Sequence, residues 1–338
     1  MLRKWKALGM LLFLTAVVFL NVSPTPASGQ PDPTGTLADI IDRGYIKVGS
    51  DIAYPPFEDL NLDTDVAEGF DIDIMHVLAE GMGNAYQTDI AVEFVSSEWD
   101  PIIPNLQDKQ FDVIMSAMTI TSAREAEVDF TRWYYQSAMG VLAEAGNPLG
   151  ITTTADLNDT TLTIGFQTGT TTYIWASAHL NDTSPTRLLT YDDFPLAIAA
   201  LELGEVDAVM GDVAVLTLEA AQSADYEMVL SFFGDEPENF GIACRTGDTD
   251  LKAALDMGLD FLLGTDESAP VISDTYNAIF YKWHGTSHPS YTGSVTSKAI
   301  VYNWYEAPED DDSPAFEFIA ALAVLAGSAL ILRQRRKR

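Results

Sequence analysis

A stretch of mixed chemistry occupies residues 111–124, with apolar side chains first, hydroxyl groups next and one arginine near its end. The apolar start is typical of a buried strand, and Thr121 or Ser122 is a suitable N-cap for a following helix. The Arg124 guanidinium can donate two parallel hydrogen bonds and the Thr119 hydroxyl a third, which makes a candidate carboxylate site. The alternative is a capped helix with a surface arginine, and these residues alone favour neither reading. The acids that would pair with such a surface arginine are Glu125, Glu127 and Asp129.

Strand-like and helix-like segments alternate along the chain, and the pattern restarts near residues 146–148. This alternation predicts an α/β fold whose parallel-type sheets are covered by helices on both faces. Ligands of such folds bind at the carboxyl ends of strands, and the unusual loops of this chain lie at those ends. Two alternating halves with a restart between them predict two lobes that face a cleft.

The chain is strongly acidic, with a formal net charge of −32 at pH 7. Eight of its 18 Lys and Arg residues lie in the first six or last six positions, so the body is more acidic still. This charge argues against nucleic acid as a partner, because phosphate binding needs a basic surface. Such an acidic surface is typical of proteins that stay soluble in high salt.

Both ends of the chain carry membrane-related signals. Residues 1–27 have a basic start, an apolar run and small residues, which predicts a cleavable signal peptide, and residues 28–35 form a linker. A stalk is expected over residues 285–315, where a segment rich in Ser, Thr and Tyr is followed by an acidic segment. Residues 316–332 are then predicted to be a transmembrane anchor or sorting signal, and residues 333–338 a basic cytoplasmic tail. The alternative for the apolar run is a buried C-terminal helix.

No metal or cofactor is expected from the sequence. His284 and His288 have a helical spacing, but Gly285 and Pro289 disfavour a helix there, and a third ligand is missing from the pattern. Cys244 is the only cysteine, so an intrachain disulfide is excluded, and its strand-like surroundings predict a core position. Fingerprints of metalloproteases, nucleophile elbows, phosphate loops and dinucleotide sites are absent from the sequence.

Several motifs taken together resemble the polar amino-acid-binding proteins that serve ABC importers. They run in the family order through residues 49–58, 69–73, 99–106, 111–124, 128–130, 134–135, 167–171 and 206–212. Each motif alone is weak, whereas their order along the chain is highly specific. The resemblance implies the type II periplasmic-binding-protein fold, a hinged two-lobe α/β structure in which each lobe is a mostly parallel sheet flanked by helices. It places lobe 1 at residues 36–142 and 238–284, and lobe 2 at residues 143–237.

The resemblance also implies a site for the α-carboxylate of an amino acid. Arg124 is expected to hold this carboxylate, with the Thr119 hydroxyl and the Ala117 backbone beside it. The amides of Thr170 and Thr171 would cap the same group, because they open a helix at the cleft. The alternative role of both threonines is ordinary N-capping.

The rest of the ligand is expected to meet acids and aromatic rings. Asp212 matches the acid that pairs with the α-ammonium, and its alternative role is to cap the following helix. Charge complementarity favours the ligand role, since a buried zwitterion needs one cation and one anion. Tyr54 and Trp99 are expected to sandwich the ligand side chain. Asp51 would favour an amide, ammonium or guanidinium, and Gln167 is a further candidate for the pocket lining.

These features predict a binding protein and not an enzyme: a monomer that captures a free amino acid, polar or basic, outside the cell. Cleft closure would bury the ligand, and the membrane subunits of an ABC importer would receive it. Bacterial relatives float free or carry an N-terminal lipid, whereas the C-terminal segment here resembles sorting signals of archaeal surface proteins. One alternative is a cyclohexadienyl or arogenate-type dehydratase, with Asp51 or Glu58 as its acid or base. Another is a ligand-sensing surface protein.

Overall fold

The computed structural model describes residues 32–181 and 183–293. The predicted signal peptide at residues 1–27, the anchor at residues 316–332 and the basic tail lie outside the described residues. Among the residues that are described, no helix combines the length and the apolar character needed to cross a membrane.

Helices and strands alternate along the described chain as the sequence pattern predicts. The helices are α1 (Gly35–Arg43), α2 (Phe70–Tyr86), α3 (Ile102–Gln107), α4 (Ser122–Glu125), α5 (Thr171–His179), α6 (Phe194–Glu202), α7 (Val213–Gln222), α8 (Thr249–Leu263) and α9 (Asp274–His284). The strands are β1 (Tyr45–Ser50), β2 (Asp59–Asn61), β3 (Val66–Glu68), β4 (Ala91–Ser96), β5 (Val113–Ile114), β6 (Val128–Ser137), β7 (Met139–Glu144), β8 (Ile164–Gln167), β9 (Leu188–Tyr191), β10 (Ala208–Asp212), β11 (Tyr226–Phe232) and β12 (Glu238–Arg245).

Two five-stranded sheets organise the molecule. Sheet 1 has the order β4-β1-β5-β12-β6, and sheet 2 has the order β11-β7-β10-β8-β9. We call the part that carries sheet 1 lobe 1 and the part that carries sheet 2 lobe 2. In each sheet the strands of the β–α units pair in parallel, and the strands by which the chain changes lobes pair antiparallel. The predicted α/β class is confirmed.

The chain passes between the lobes twice, and the two passages lie side by side. The first passage joins β6 to β7 through Ala138, and the second joins β11 to β12 through residues 233–237. Glu238 pairs with Ser137 in sheet 1, and Phe232 pairs with Met139 in sheet 2. Because these two short connections are the only ones that join the lobes within the described residues, they are suited to absorb a hinge rotation. The first passage precedes residue 142, where the sequence placed the end of lobe 1, because all of β7 pairs within sheet 2.

Buried apolar residues of the strands form the cores of the lobes. Ile46, Val48, Val113 and Ile114 have no exposed surface in sheet 1, because helices cover both of its faces. Each such side chain contributes about 1.5–3 kcal/mol by its removal from water. The sole cysteine, Cys244, is buried in β12, as predicted.

The β2–β3 hairpin is an element that the sequence pattern does not reveal. Leu60 and Val66 are exposed in these strands, and Leu62 between them is 88% exposed. Because this hairpin buries little apolar surface, it has no alternation of buried and exposed positions from which to recognise a strand.

Candidate functional site

A single cavity between the two lobes brings together all ten residues that the sequence predicts as ligand-binding. The space in it that the centre of a water molecule can occupy is about 20 Å³. From lobe 1 the lining residues are Asp51, Tyr54, Trp99, Ala117, Thr119 and Arg124, and from lobe 2 they are Gln167, Thr170, Thr171 and Asp212. Glu58 and Ser116 also line it; the sequence named Glu58 only as the acid or base of the dehydratase alternative, and it did not name Ser116 as ligand-binding. The position of Ser116 at a strand end, within the hydroxyl cluster, is a signal that would have found it.

Arg124 projects into this cavity from the one-turn helix α4. The helix begins after Thr121, whose hydroxyl accepts a 3.2 Å hydrogen bond from the Arg124 amide. One Nη of the guanidinium donates to the Thr119 carbonyl at 2.8 Å, and the other donates to the Gly169 carbonyl of lobe 2 at 3.4 Å. The guanidinium also lies 5.0 Å from the centroid of the Trp99 ring, within the range of a cation–π interaction.

The charge of Arg124 is not neutralised by a local ion pair. Of the described residues, none forms an ion pair with this guanidinium, so the alternative of a surface arginine paired to Glu125, Glu127 or Asp129 does not describe it. Burial lowers the pKa of Arg124 to about 10, and the charges of Glu238 and Asp212 oppose that shift. The guanidinium is therefore a partly buried cation suited to an anionic partner.

Glu238 is a buried acid behind the cavity wall that sequence reasoning missed. Its Oε2 accepts hydrogen bonds from the Thr119 hydroxyl at 2.7 Å and from the Thr171 hydroxyl at 3.0 Å. Burial raises the pKa of Glu238, and the two hydroxyls and Arg124 oppose this shift. The Thr119 hydroxyl, which we expected to face a ligand carboxylate, is therefore engaged by a protein carboxylate.

The turn after β5 is held in place by two buried acids. Ala117 has φ +43°, in the left-handed region that is unfavourable for residues other than glycine. Its amide donates to Asp71 Oδ2 at 2.8 Å, and the Tyr134 hydroxyl donates to the same oxygen at 2.6 Å. The Ser116 hydroxyl donates to Glu58 Oε1 at 2.8 Å. These bonds compensate for the strained backbone and fix the floor of the cavity.

Glu58 and Asp71 interact with each other as well as with the turn. Burial raises the pKa of Asp71 to about 7, and a hydrogen bond with Glu58 opposes the rise. Burial and the Asp71 charge hold the pKa of Glu58 well above its usual range. Because two charged carboxylates in contact are unfavourable, we infer that the pair shares a proton at neutral pH, with Glu58 as the carboxyl that is harder to ionise.

The wall from lobe 2 is built by the start of α5. Thr170 is the N-cap residue and Thr171 the first helical residue, and the Thr170 hydroxyl donates to the Gln167 carbonyl at 2.8 Å. Amides of a first helical turn lack intrahelical partners and carry a partial positive charge. Gly169 precedes them with φ +70°, and a Cβ there would lie 3.0 Å from the Asp100 carboxylate of lobe 1. A glycine therefore allows the lobes to approach closely at this point.

Two acids contact the opposite lobe directly. The Tyr54 hydroxyl donates to Asp212 Oδ2 at 2.8 Å, and Gln167 Nε2 donates to Asp51 Oδ2 at 2.7 Å. Asp212 precedes α7, but its carboxylate bonds Tyr54 and within the described chain does not cap that helix. Burial raises the pKa of Asp212 to about 7, and the Glu238 charge adds to the rise. Burial also raises the pKa of Asp51 to about 6.

The chemistry of the cavity is that of a small binding site with one cation and several acids. Arg124 can hold one carboxylate, and Asp51 and Asp212 can accept hydrogen bonds from cationic or amide groups at separate places. A molecule with one anionic end and one or two cationic ends complements this arrangement.

The fold and the site define a class of two-lobe solute-binding proteins, and comparison with known proteins agrees. Residues 46–286 match the family of bacterial extracellular solute-binding proteins, family 3, and the chain belongs to this family. The chain is similar to a probable histidine-binding protein of Neisseria gonorrhoeae, with 31% identity over 70% of this chain and 82% of that protein. It is also similar to an L-arginine-binding protein of Pseudomonas aeruginosa, with 32% identity over 64% of this chain and 82% of the relative.

A solved structure shows the same similarity. An ancestral amino acid-binding protein, described as a precursor of cyclohexadienyl dehydratase, superposes with a TM-score of 0.62 and 30% identity. The match covers 74% of this chain and all of that one, at 100%. Because the relatives are named as binding proteins, the chain is a solute-binding protein and not an enzyme.

Proposed function

We propose that this protein binds a free α-amino acid with a cationic side chain between its lobes and delivers it to an ABC importer. The observation that carries this proposal is that Arg124 of lobe 1 and Asp212 of lobe 2 line one cavity. A free amino acid is a zwitterion, and one guanidinium and one carboxylate on facing walls match its two charged groups.

The carboxylate end of the ligand is assigned to Arg124 and to the start of α5. The guanidinium supplies the charge, and the amides of Thr170 and Thr171 supply directional donors. The Ala117 backbone lies beside them on the floor of the cavity. Because the Thr119 hydroxyl donates to Glu238, Thr119 contributes through its position and its backbone.

The side-chain end of the ligand is assigned to Asp51 and Gln167, with the rings of Tyr54 and Trp99 as walls. Asp51 is a hydrogen-bond acceptor with a negative charge, so it favours a guanidinium, an ammonium or an imidazolium over an amide. The acids around the cavity outnumber its one arginine, which favours a ligand with net positive charge. Relatives named for arginine and histidine support this choice.

The proposed mechanism is closure of the lobes about the two chain passages. The contacts of Tyr54 with Asp212 and of Gln167 with Asp51 join the lobes directly. A ligand that binds both walls stabilises the closed state, because it interacts with both walls only when they face each other. The importer subunits would then recognise the closed form.

The proposed location is the outer face of the cytoplasmic membrane, with residues 316–332 as anchor or sorting signal and residues 285–315 as stalk. Fractionation of cells that express the full chain tests the anchor. We expect the full chain in the membrane fraction and a chain truncated after residue 312 in the soluble exported fraction. Recovery of both chains in the soluble fraction would contradict the anchor and leave the binding proposal intact.

Calorimetry of the purified full-length protein against the twenty amino acids tests the binding function. We expect arginine, lysine or histidine to saturate one site per chain. Two analogues of the ligand that binds serve as matched controls: the N-acetyl derivative lacks the ammonium, and the carboxamide lacks the carboxylate. We expect both to bind at least about a hundredfold more weakly, since each leaves one buried charge without a partner. The absence of binding heat with all twenty amino acids would refute the proposal.

A further inference from the structure

Glu238 is a buried acid that sits at the hinge and contacts both lobes. It is the first residue of β12, where the chain re-enters lobe 1, and it pairs with Ser137 at the end of the other passage. Only 3% of the residue is exposed. A buried carboxylate is costly unless donors satisfy it, and its two donors are the hydroxyls of Thr119 and Thr171.

The backbone fixes the place of Glu238 relative to lobe 1. The Ile120 amide donates to the Asn239 carbonyl at 2.8 Å, and the Gly241 amide donates to the Met118 carbonyl at 3.0 Å. These two bonds flank the contact of Glu238 with Thr119, so the carboxylate is rigidly held in lobe 1. Its second donor, Thr171, belongs to lobe 2, and the 3.0 Å bond between them therefore depends on how the lobes meet.

This bond differs from the other polar contacts across the cleft. The Tyr54–Asp212 and Gln167–Asp51 bonds engage carboxylates that a ligand would need for itself. The twelve described residues that line the cavity do not include Glu238. Its bond to Thr171 can therefore persist while a ligand occupies the cavity, and it stabilises closure without competing for the ligand.

Thr171 also carries one of the amides at the start of α5. A bond that fixes its hydroxyl fixes the first turn of this helix against lobe 1, on the side where Arg124 lies. We propose that Glu238 is a positioning residue that holds lobe 2 against lobe 1 through its hydrogen bond with Thr171, and we call this bond the latch. The latch thereby places the α5 amides over the carboxylate site. This inference rests on the proposed binding function for its effect on affinity, but not for its effect on closure.

Three substitutions separate the latch from the charge of Glu238. Glu238→Gln keeps an oxygen that accepts both hydroxyl bonds, whereas Glu238→Ala removes the acceptor. Thr171→Val removes the donor of lobe 2 and leaves the acid in place. Glu236→Gln is the matched control, because it neutralises an exposed acid of the same passage that bonds Ser122 within lobe 1.

Affinity and dissociation rate of the best amino acid are measured by calorimetry and stopped flow. We expect Glu238→Ala and Thr171→Val each to weaken binding at least about tenfold, mainly through faster dissociation, because each leaves a buried hydrogen-bonding group without its partner in the other lobe. We expect Glu238→Gln and Glu236→Gln to stay within about threefold of the unmodified protein. Combining the alanine and valine changes should cost little more than either alone, since both break the same bond.

Closure is measured independently by fluorescence energy transfer between exposed cysteines introduced at Asp108 in lobe 1 and Glu202 in lobe 2. Cys244 does not interfere, because it is fully buried and its thiol pKa is held well above the usual range. We expect Glu238→Ala and Thr171→Val to lower the closed fraction without ligand, and Glu238→Gln to preserve it.

Two outcomes would overturn the latch. In the first, the Glu238→Ala variant closes and binds like the unmodified protein. In the second, the Glu238→Gln variant loses as much closure and affinity as the Glu238→Ala variant. The second result would show that closure and binding depend on the negative charge of Glu238 and not on its hydrogen bond to Thr171. Should Glu238→Ala fail to fold, Thr171→Val decides in its place, and normal closure in that variant refutes the latch. An unmodified protein that binds no amino acid refutes the proposed function, while the closure measurement still judges the latch.

Discussion

The Tyr54 hydroxyl of lobe 1 and the Asp212 carboxylate of lobe 2 are joined by a 2.8 Å hydrogen bond, and the Asp212 amide donates back to that hydroxyl at 3.2 Å. The bond satisfies a carboxylate whose burial would otherwise be costly. A ligand ammonium that reaches Asp212 must share this carboxylate with Tyr54. The proposed ammonium site is thus formed only where the two lobes meet, which would tie recognition of that group to closure.

We predict that ligand affinity rises with pH. Burial raises the pKa of Asp212 to about 7, and an ammonium binds the ionised form. A proton therefore competes with the ligand below that pH, and the association constant should fall by more than about tenfold per pH unit between pH 6 and 5, because Asp51, with a pKa of about 6, also gains a proton there. Calorimetry across pH 5 to 8 measures this dependence. Asp212→Asn, which cannot ionise, should bind weakly at every pH; an equally steep dependence in that variant would exclude Asp212 as the titrating group.

We predict the opposite pH dependence for the stability of the protein alone. Asp212 and Asp71 have pKa values of about 7 in the folded state, and Asp51 about 6, against a usual value of 3.8. Between the usual pKa of 3.8 and the raised pKa values, the folded state therefore binds more protons than the unfolded state. The free energy of unfolding consequently falls as pH rises from about 4 to 7. Urea unfolding at a series of pH values measures it. Asp212→Asn should flatten the decline, and an unchanged slope would contradict the assignment.

Arg124→Ala should abolish binding, because it leaves the ligand carboxylate without its charged partner. We expect at least a hundredfold loss, about 3 kcal/mol, and an intermediate loss for Arg124→Lys, which keeps the charge without the planar fork. The unmodified protein should also prefer an amino acid to its carboxamide, and Arg124→Ala should lose that preference. Lys109→Gln, which removes a charge from an exposed position of lobe 1, is the matched control for calorimetry. Near-normal affinity in Arg124→Ala would remove this residue from the site.

Local motifs explain why the sequence predicted ten lining residues, and long-range pairing explains what it missed. Arg124 lies in the short helix after β5 and Asp212 ends β10, the apolar pattern reveals both strands, and strand ends converge at the cleft. Glu238 meets Thr119 only because β12 returns to lobe 1 after 119 residues, and no short pattern encodes that return. The antiparallel pairs at the hinge were unpredictable for the same reason. For this reason the sequence did not predict that the Thr119 hydroxyl donates to Glu238.

Asp51→Asn should change which ligand is preferred. The Asp51 carboxylate accepts a bond from Gln167 and presents a negative charge to the cavity, so a cationic side chain gains more from it than an amide does. We expect the ratio of arginine to glutamine affinity to fall at least about tenfold in the variant, because a bond to a charged group is lost only for arginine. Glu98→Gln, which neutralises an exposed neighbour whose charge acts on Asp51, is the control. Equal loss for both ligands would argue for a purely structural role of Asp51.

Asp71→Ala should destabilise the protein and weaken binding together, because Asp71 holds the strained turn at Ala117. The substitution leaves the Ala117 amide and the Tyr134 hydroxyl buried without their acceptor, and we expect a loss of about 3 kcal/mol in the free energy of unfolding. Asp73→Ala on the same helix removes an acid that bonds Lys282 at a more exposed place, and should cost about 1 kcal/mol.

The partner of Asp71 gives a sharper test of the same arrangement. With the shared proton on Glu58, Glu58→Gln replaces a protonated carboxyl by an amide that can donate to Asp71 in the same way, so stability at pH 7 should change by less than about 1 kcal/mol. Glu58→Ala should instead remove both the donor to Asp71 and the acceptor of the Ser116 hydroxyl, and cost several-fold more. Urea unfolding of both variants decides between the two states of the pair. A Gln variant as unstable as the Ala variant would mean that Glu58 is ionised in the folded protein and that the turn is held by charge rather than by a shared proton.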